Sequence, residues 1–474
     1  MEGGTEVFII GEKPYPVAIV RVFLRYDHIY EQKDGYENLQ RTSNKNLGTS
    51  LQSGFEKLWM LMYIIYNILY AVVLLFILPF EYFKRPADLR RRWLKERLGF
   101  PPVSSNANGT MWVHAVSVGE VIASIPLLKR LKASYPDKEI VLSTVTDTGQ
   151  KVARERTGDM ARIIYIPFDM TFAVANAFYR VRPDLFVIME TELWPVIIHF
   201  FKKRGVPVLL MNGRLSEKSV RGYLKLRFFF GQVMKDISFF CMQNRLYADR
   251  IISIGAGEET VHATGNFKFD MKPSSPVPAW TGILTGPVLI AGSTHRYEED
   301  IVLDLFTQLI PDNPTLNLII APRHPERFRE VEEIVMKRGI KYMKRSEITD
   351  YNSPMRNVVV ILDVMGELSS VYGAADIAIM GGSFIEHGGQ NPLEPAFWGK
   401  AIVCGPHMEN FLFVDEFYRS GAAVMAWREN LYGIVKEILG SPERKARMGR
   451  AAKELYEKNA GATSRAMEIV KKYV

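Results

Sequence analysis

Carboxylates, arginines and hydroxyls recur where short apolar runs of this chain end, the positions from which side chains can act on a ligand. In HAVSVGE, Gly119-Glu120 stands where an apolar run passes into a helical pattern, so Glu120 could serve as a general base for a ligand over the strand end. It could equally be a first-turn acid stabilised by the helix dipole. The same dipole would lower its pKa, and burial under a substrate would have to offset that. METELWP places Glu190 and Glu192 after the run DLFVI, with capping by Thr191 or a surface ion pair as the alternative. MNGRLSEKS adds Asn212, Arg214, Ser216 and Lys218 beside a third run, suited to a charged acceptor or to a solvated face.

The second half repeats the arrangement with a different chemistry. AGSTH offers Gly292, Ser293, Thr294 and His295 at a strand–helix junction, where hydroxyls and N–H groups could hold a phosphate. APRHPERF offers Arg323, a bidentate phosphate partner, with His324 beside it. In ILDVMGELSSVY, Gly366-Glu367 opens a helix whose backbone groups could read a base edge. The densest stretch is DIAIMGGSFIEHGGQNPLEPAFWGKAIVCGPHMENF, residues 376–411. There a glycine loop runs into a helix expected to begin at Asn391, with Pro392 at its first position and Glu394 three residues past the cap. Strand, glycine loop and helix N-terminus would together form an anion site, although Asn391 and Glu394 also fit a capping box.

These residues need a scaffold, and the pattern supplies one. From residue 111 apolar runs (MWVHAVSV, EIVLSTV, RIIYIPF, DLFVIME, VPVLLMNG) alternate with helical patterns, the signature of a doubly wound α/β domain. A polar, Pro/Ser-rich stretch at 265–278 reads as a linker. The alternation then restarts with PVLIAGSTH, LNLIIAPRH, NVVVILD, DIAIMGGS and KAIVCGPH and closes on a helical tail. Two such domains would leave a cleft, a usual place for a ligand.

At 474 residues the chain is long enough for two or three domains. A net charge of +8 favours anionic partners without choosing among them. Two cysteines, Cys241 and Cys404, exclude a disulfide framework and a zinc spacing. There is no GxxxxGK[ST], GxSxG or HExxH motif, and no Asp-X-Asp cluster for a nucleotide-bound metal. LWMLMYIIYNILYAVVLLFILPF, residues 58–80, has no charge and only Asn67 strongly polar, and is long enough to span a bilayer. Lys84, Arg85, Arg90, Arg91, Arg92, Lys95 and Arg97 follow it, predicting a cytoplasmic C-terminal side. Acidic lipid accounts for that cluster better than nucleic acid does. Residues 1–54, with EVFIIG and VAIVRVFL as two possible short strands, form an extension of open role.

Taken in order, the apolar anchor, RRRWLKERLGF, WVHAVSVGE, METELWP, NGRLSE, TGNFKFD, AGSTH, APRHPERF, DVMGEL and the 376–411 stretch closely resemble the 3-deoxy-D-manno-octulosonic acid (Kdo) transferases of lipid A assembly. The resemblance runs over about residues 58–474. It implies an α/β GT-B glycosyltransferase, inverting and without metal or cofactor, with two Rossmann-like domains facing a cleft and an N-terminal membrane helix. The divisions would be 1–54 extension, 55–84 anchor, 85–270 acceptor domain and 271–474 donor domain. It further implies CMP-Kdo as donor, a lipid A precursor as acceptor, and catalytic domains on the cytoplasmic side of the inner membrane. Glu120 would deprotonate the acceptor, with Ser117, Gly119, Glu190 and Arg214 lining the acceptor side. Ser293, Thr294, Arg323 and His324 would face the phosphate or sugar acid, and Met365, Gly366 and Glu367 the cytosine. Asn391 and Glu394 would meet the Kdo–CMP unit. The sequence departs from the family at residues 1–54 and at Gly213, where an alanine is expected. A GT-B enzyme for another nucleotide sugar, or a membrane-tethered nucleotide-binding protein, are the alternative readings.

Overall fold

The computed structural model describes residues 45–474 except 104, 105, 274 and 412, with side chains from 59 onward. The two strands expected before residue 44 lie outside the described residues. The chain forms two compact units. The first runs to Phe267 and is rejoined by Gly461–Val474; the second is Lys268–Ala460. The tail is thus divided: its last helix, Ala462–Val470, returns to the first unit rather than staying with the second, and buries Ala462, Ala466, Met467 and Val470 there.

In the first unit β1 (Thr110–His114), β2 (Glu139–Thr144), β3 (Arg162–Tyr165), β4 (Pro183–Met189), β5 (Val208–Gly213), β6 (Phe239–Met242) and β7 (Val261–Ala263) form one parallel sheet in the order β3-β2-β1-β4-β5-β6-β7. The second unit holds β8 (Val288–Thr294), β9 (Asn317–Pro322), β10 (Tyr342–Lys344), β11 (Val359–Ile361), β12 (Ile377–Met380), β13 (Ala401–Cys404) and β14 (Ala423–Met425). These are also parallel, in the order β10-β11-β9-β8-β12-β13-β14. Helices cover both faces, which is why the strands read as continuous apolar runs instead of alternating ones. Successive residues of β1 serve opposite faces: Trp112 packs with Val141 and Phe186, while Met111 and Val113 pack with Leu142 and Val187. Strand order reverses between β1 and β4 and between β8 and β12, the switch points at which open α/β sheets take ligands.

The apolar run lies in a helix, Lys45–Lys84, whose stretch Trp59–Lys84 is long and apolar enough to cross a membrane. One of its faces is not free. Tyr63, Tyr66 and Tyr70, spaced to share a stripe, are buried in the core of the first unit. Tyr63 stacks on His199 at 4.2 Å. The Tyr66 hydroxyl donates to Asp169 at 2.8 Å. Asn67 accepts from the Thr171 N–H at 2.9 Å, capping the helix Thr171–Val181. Four cations of the basic cluster are likewise held inside the fold. Arg85 binds Asp147, Arg90 donates to the Arg85 carbonyl, Arg92 pairs with Glu96, and Arg97 donates to the Ile166 carbonyl. Lys84, Arg91 and Lys95 are the exposed ones.

Asp169 joins this helix to the rest of the unit, because its carboxylate also accepts from the Val196 and Ile197 N–H groups that open the helix Pro195–Lys203. Burial raises its pKa to about 6, against the pull of those donors. A carboxyl raised on folding holds its proton better in the native state, so its contribution to stability declines as pH climbs from about 4 through 6. Tyr66→Phe removes one donor and should cost about 1.5–3 kcal/mol. It should also raise the Asp169 pKa further, extending the pH-dependent decline upward. Thermal unfolding of both proteins across pH in detergent checks this; equal stability at every pH would contradict it.

Candidate active site

Glu120 sits in the first turn of the helix Val118–Ser134, directly after β1. Its side chain turns back to the loop: Oε2 accepts from the Val116 N–H at 2.7 Å and Oε1 from the Ser117 hydroxyl at 3.1 Å. Part of its role is therefore that of a capping acid, satisfying an orphan donor at a helix start. The carboxyl is nevertheless buried, and burial raises its pKa well above the usual carboxylate range. The negative charges of Glu192 and Glu190 push in the same direction. The dipole and two hydrogen bonds lose to desolvation and like charge, which leaves a stronger base than an ordinary glutamate once ionised.

The neighbouring loops hold that arrangement. Glu190 has φ of 56° and Asn212 φ of 57°, left-handed conformations that cost energy in a non-glycine residue and concentrate at functional sites. Glu190 Oε2 pairs with Arg214 Nε. Thr191 Oγ1 donates to the Arg214 carbonyl at 2.6 Å and accepts from the Arg214 N–H at 3.0 Å, so it latches the β4 and β5 loops together and does not cap a helix. Beneath them lies a buried relay absent from the sequence reading. Trp194 Nε1 donates to His114 Nε2 at 3.1 Å, and His114 Nδ1 lies 3.0 Å from Ser143 Oγ. The tryptophan thereby assigns the proton to Nδ1. Burial lowers the His114 pKa to about 3, so the imidazole stays neutral. Ser117, Gly119, Glu120, Glu190 and Arg214 thus gather at the β1–β4 switch point. Lys218 lies further on, exposed, in the helix Glu217–Lys225.

In the second unit the expected residues divide. Ser293, the penultimate residue of β8, has φ of 57°. The Thr294 hydroxyl is committed to Glu299 at 2.7 Å, and Glu299 is gripped at both oxygens by Arg327. Arg323 and His324 are exposed at the end of β9, beside Thr294, whose carbonyl accepts from the Arg323 N–H. His295 is the meeting point: its ring lies 4.0 Å from that of His387 and 5.6 Å from that of His324, and its Nε2 is 3.2 Å from Gln390 Nε2. Burial, then the positive charge of His387, His324, Arg323 and Arg327, lowers its pKa to about 4. The cationic contribution to that shift would favour an anion, whereas the burial would not.

Two expectations here are corrected. The helix after the glycine loop is Leu393–Phe397, only five residues; Asn391 Oδ1 accepts from the Leu393 N–H, so the helix starts later than Asn391 and its dipole is small. The glycines make room for protein more than for ligand, since a Cβ on Gly381 would strike the Ser293 backbone and one on Gly405 the Ser383 backbone. The Glu367 carboxylate is taken by Arg345 at 2.9 and 3.1 Å and by Trp280 Nε1 at 3.1 Å, which leaves the backbone at Gly366, beside exposed Met365, for contacts. Glu298 was missed altogether. Its buried carboxylate accepts from the N–H groups of His295, Gly382 and Phe384 at 2.9, 2.6 and 3.0 Å and staples the glycine loop to β8.

The family model of 3-deoxy-D-manno-octulosonic-acid transferase (kdotransferase) matches residues 92–271. A 3-deoxy-D-manno-octulosonic acid transferase of Haemophilus influenzae is 34% identical over 403 residues, covering 81% of this chain and 92% of that protein. The chain belongs to the Kdo transferases. It is a glycosyltransferase of lipopolysaccharide biosynthesis. The crystal structure of the C-terminal CMP-Kdo binding domain of WaaA from Acinetobacter baumannii is 31% identical, covering 36% of this chain and 90% of that one, with a TM-score of 0.34. A UDP-GlcNAc 2-epimerase from Neisseria meningitidis shares the fold alone, at a TM-score of 0.52 and 11% identity over 77% of this chain and all of that one. Two parallel doubly wound sheets give this Kdo transferase the GT-B fold. Gly213, the departure within NGRLSE, sits under Met242, whose sulfur a Cβ would meet.

The raised Glu120 pKa has a kinetic consequence. If ionised Glu120 is required, Kdo transfer falls as pH drops through a value above the ordinary carboxylate range. Glu192→Gln removes a like charge, lowers that pKa and moves the acid limb of kcat/KM to lower pH. A pH–rate profile of both enzymes checks it; coincident acid limbs would contradict the assignment.

Proposed function

We propose that this Kdo transferase moves Kdo from CMP-Kdo onto a hydroxyl of a lipid A precursor, lipid IVA, at the cytoplasmic face of the inner membrane. Glu120 takes the proton of the acceptor hydroxyl as its oxygen bonds to the anomeric carbon of Kdo. The bond from that carbon to the phosphate oxygen breaks on the opposite side and CMP leaves, so the configuration inverts. Glu190, Arg214, Ser117 and Gly119 line the acceptor side, where Arg214 offers a cation to an acceptor phosphate. Ser293, Arg323, His324 and the cation-rich surroundings of His295 receive the donor's phosphate and carboxylate. Thr294 supports them through Glu299 and does not touch the donor with its hydroxyl. The backbone at Met365, Gly366 and Glu367 meets the cytosine, and Asn391 and Glu394 the ribose and Kdo.

The observation that carries this reading is Glu120 itself, a buried carboxylate with a raised pKa at the β1–β4 switch point of a chain of this family. The apolar helix supports the location, since it is long and apolar enough to span a bilayer. Mass spectrometry of a tetraacylated lipid A precursor incubated with enzyme, CMP-Kdo and EDTA is the direct test. The expected result is a mass gain of one or more Kdo units that persists with EDTA. An unmodified acceptor in the presence of folded enzyme would contradict the reading, and modification by a UDP-sugar would favour a different donor.

A further inference from the structure

Tyr372 sets a phenol oxygen at the end of the second sheet. The residue follows the helix Leu368–Val371 and opens the turn that leads into β12. Its ring is buried in the core with Trp280, Ile290 and Ala378, and the residue is only 1% exposed. The hydroxyl reaches the sheet at Gly292, where a Cβ would collide with the phenol oxygen. Gly292 is paired with Met380, the last residue of β12, and directly precedes Ser293 with its left-handed backbone. The oxygen therefore lies at the β8–β12 switch point, where the strands give way to the loops.

A buried phenol oxygen ordinarily finds a hydrogen-bond partner, because going without one forfeits the bond it made to water. This one forms none with any described residue, and those residues do not seal it off either. Glu394 is near enough for its charge to act on it. Burial first, then that carboxylate, hold the Tyr372 pKa well above the usual phenol range, so the hydroxyl keeps its proton. A phenol that can donate beside a carboxylate that only accepts is a pair matched to a sugar hydroxyl, which does both. We propose that Tyr372 is a further donor-binding residue, whose hydroxyl donates to a ribose hydroxyl of the nucleotide while Glu394 accepts from the same diol. This rests on the reading of the second unit as the CMP-Kdo site, and it adds a residue to that site.

Tyr372→Phe removes the oxygen and keeps the ring, so a role in folding and a role in binding part company. Full-length parent and variant in detergent are titrated calorimetrically with CMP, 2′-deoxy-CMP and 3′-deoxy-CMP, and their thermal unfolding is followed without nucleotide. A hydroxyl with no protein partner adds nothing to the fold, so the variant should unfold at the parent's temperature or above it. CMP should bind about tenfold more weakly to the variant. The deoxynucleotide that lacks the contacted hydroxyl should bind parent and variant alike. Equal CMP affinity in the two proteins overturns the inference. Weakening by one common factor for all three nucleotides also overturns it, because the hydroxyl would then act away from the ribose. A fall in unfolding temperature together with the loss of binding overturns it as well, making Tyr372 a residue of the fold. A parent enzyme that binds no CMP overturns the donor reading on which the inference rests.

Discussion

The first unit is built around a carboxyl group kept away from water next to two other acids. Glu120 would prefer, at the start of a helix and with two hydrogen bonds, to ionise as easily as any surface glutamate. Burial together with Glu190 and Glu192 reverses that preference. Keeping three carboxylates close requires rigid loops, and the loops are rigid for identifiable reasons. Thr191 latches the Glu190 loop to Arg214, Arg214 compensates Glu190, and the neutral His114 anchors Trp194 from below. Asp169 fixes the start of the next helix and ties it to Tyr66 of the apolar helix. A carboxyl whose pKa is raised in this way depends on the fold for its basicity.

The second unit follows a complementary logic. Cations and a depressed histidine gather around His295, while the nearby acids are spent internally: Glu298 on three backbone N–H groups, Glu299 on Arg327 and Glu367 on Arg345. One unit raises the pKa of an acid and the other lowers that of a histidine, as a base for a hydroxyl and a seat for a phosphate would each require.

Much of this was legible in the chain. Strands buried on both faces leave runs such as MWVH, DLFVIM and VLIAG, and the polar residues just beyond them lie at switch points because parallel sheets put them there. The short strands β7, β10 and β14, of three residues each, are too brief to leave a distinct apolar run, and β6 (Phe239–Met242), though wholly apolar, is absent from the sequence reading. The closing helix was assigned to the wrong unit since nothing local to Ala462–Val470 says which sheet it covers. The Ser143–His114–Trp194 relay and the Glu298 staple join residues from 29 to 86 positions apart, so no window of sequence holds them. Asn67 looked like a lone polar residue in an apolar run; its partner Thr171 is 104 residues away. Local pattern specifies elements and loop chemistry, whereas the partners that tune a pKa are tertiary.

The most direct test of the central claim replaces the carboxylate without changing its shape. In Glu120→Gln, Kdo transfer should fall by about 10²–10⁴-fold, the usual contribution of a positioned base. Binding of CMP, followed by calorimetry on the same preparation, should be unchanged. Transfer retained within a few-fold of the parent enzyme would show that Glu120 is a capping acid and not the base. Loss of CMP binding along with transfer would show that the residue holds the fold together and would contradict the catalytic role assigned to it.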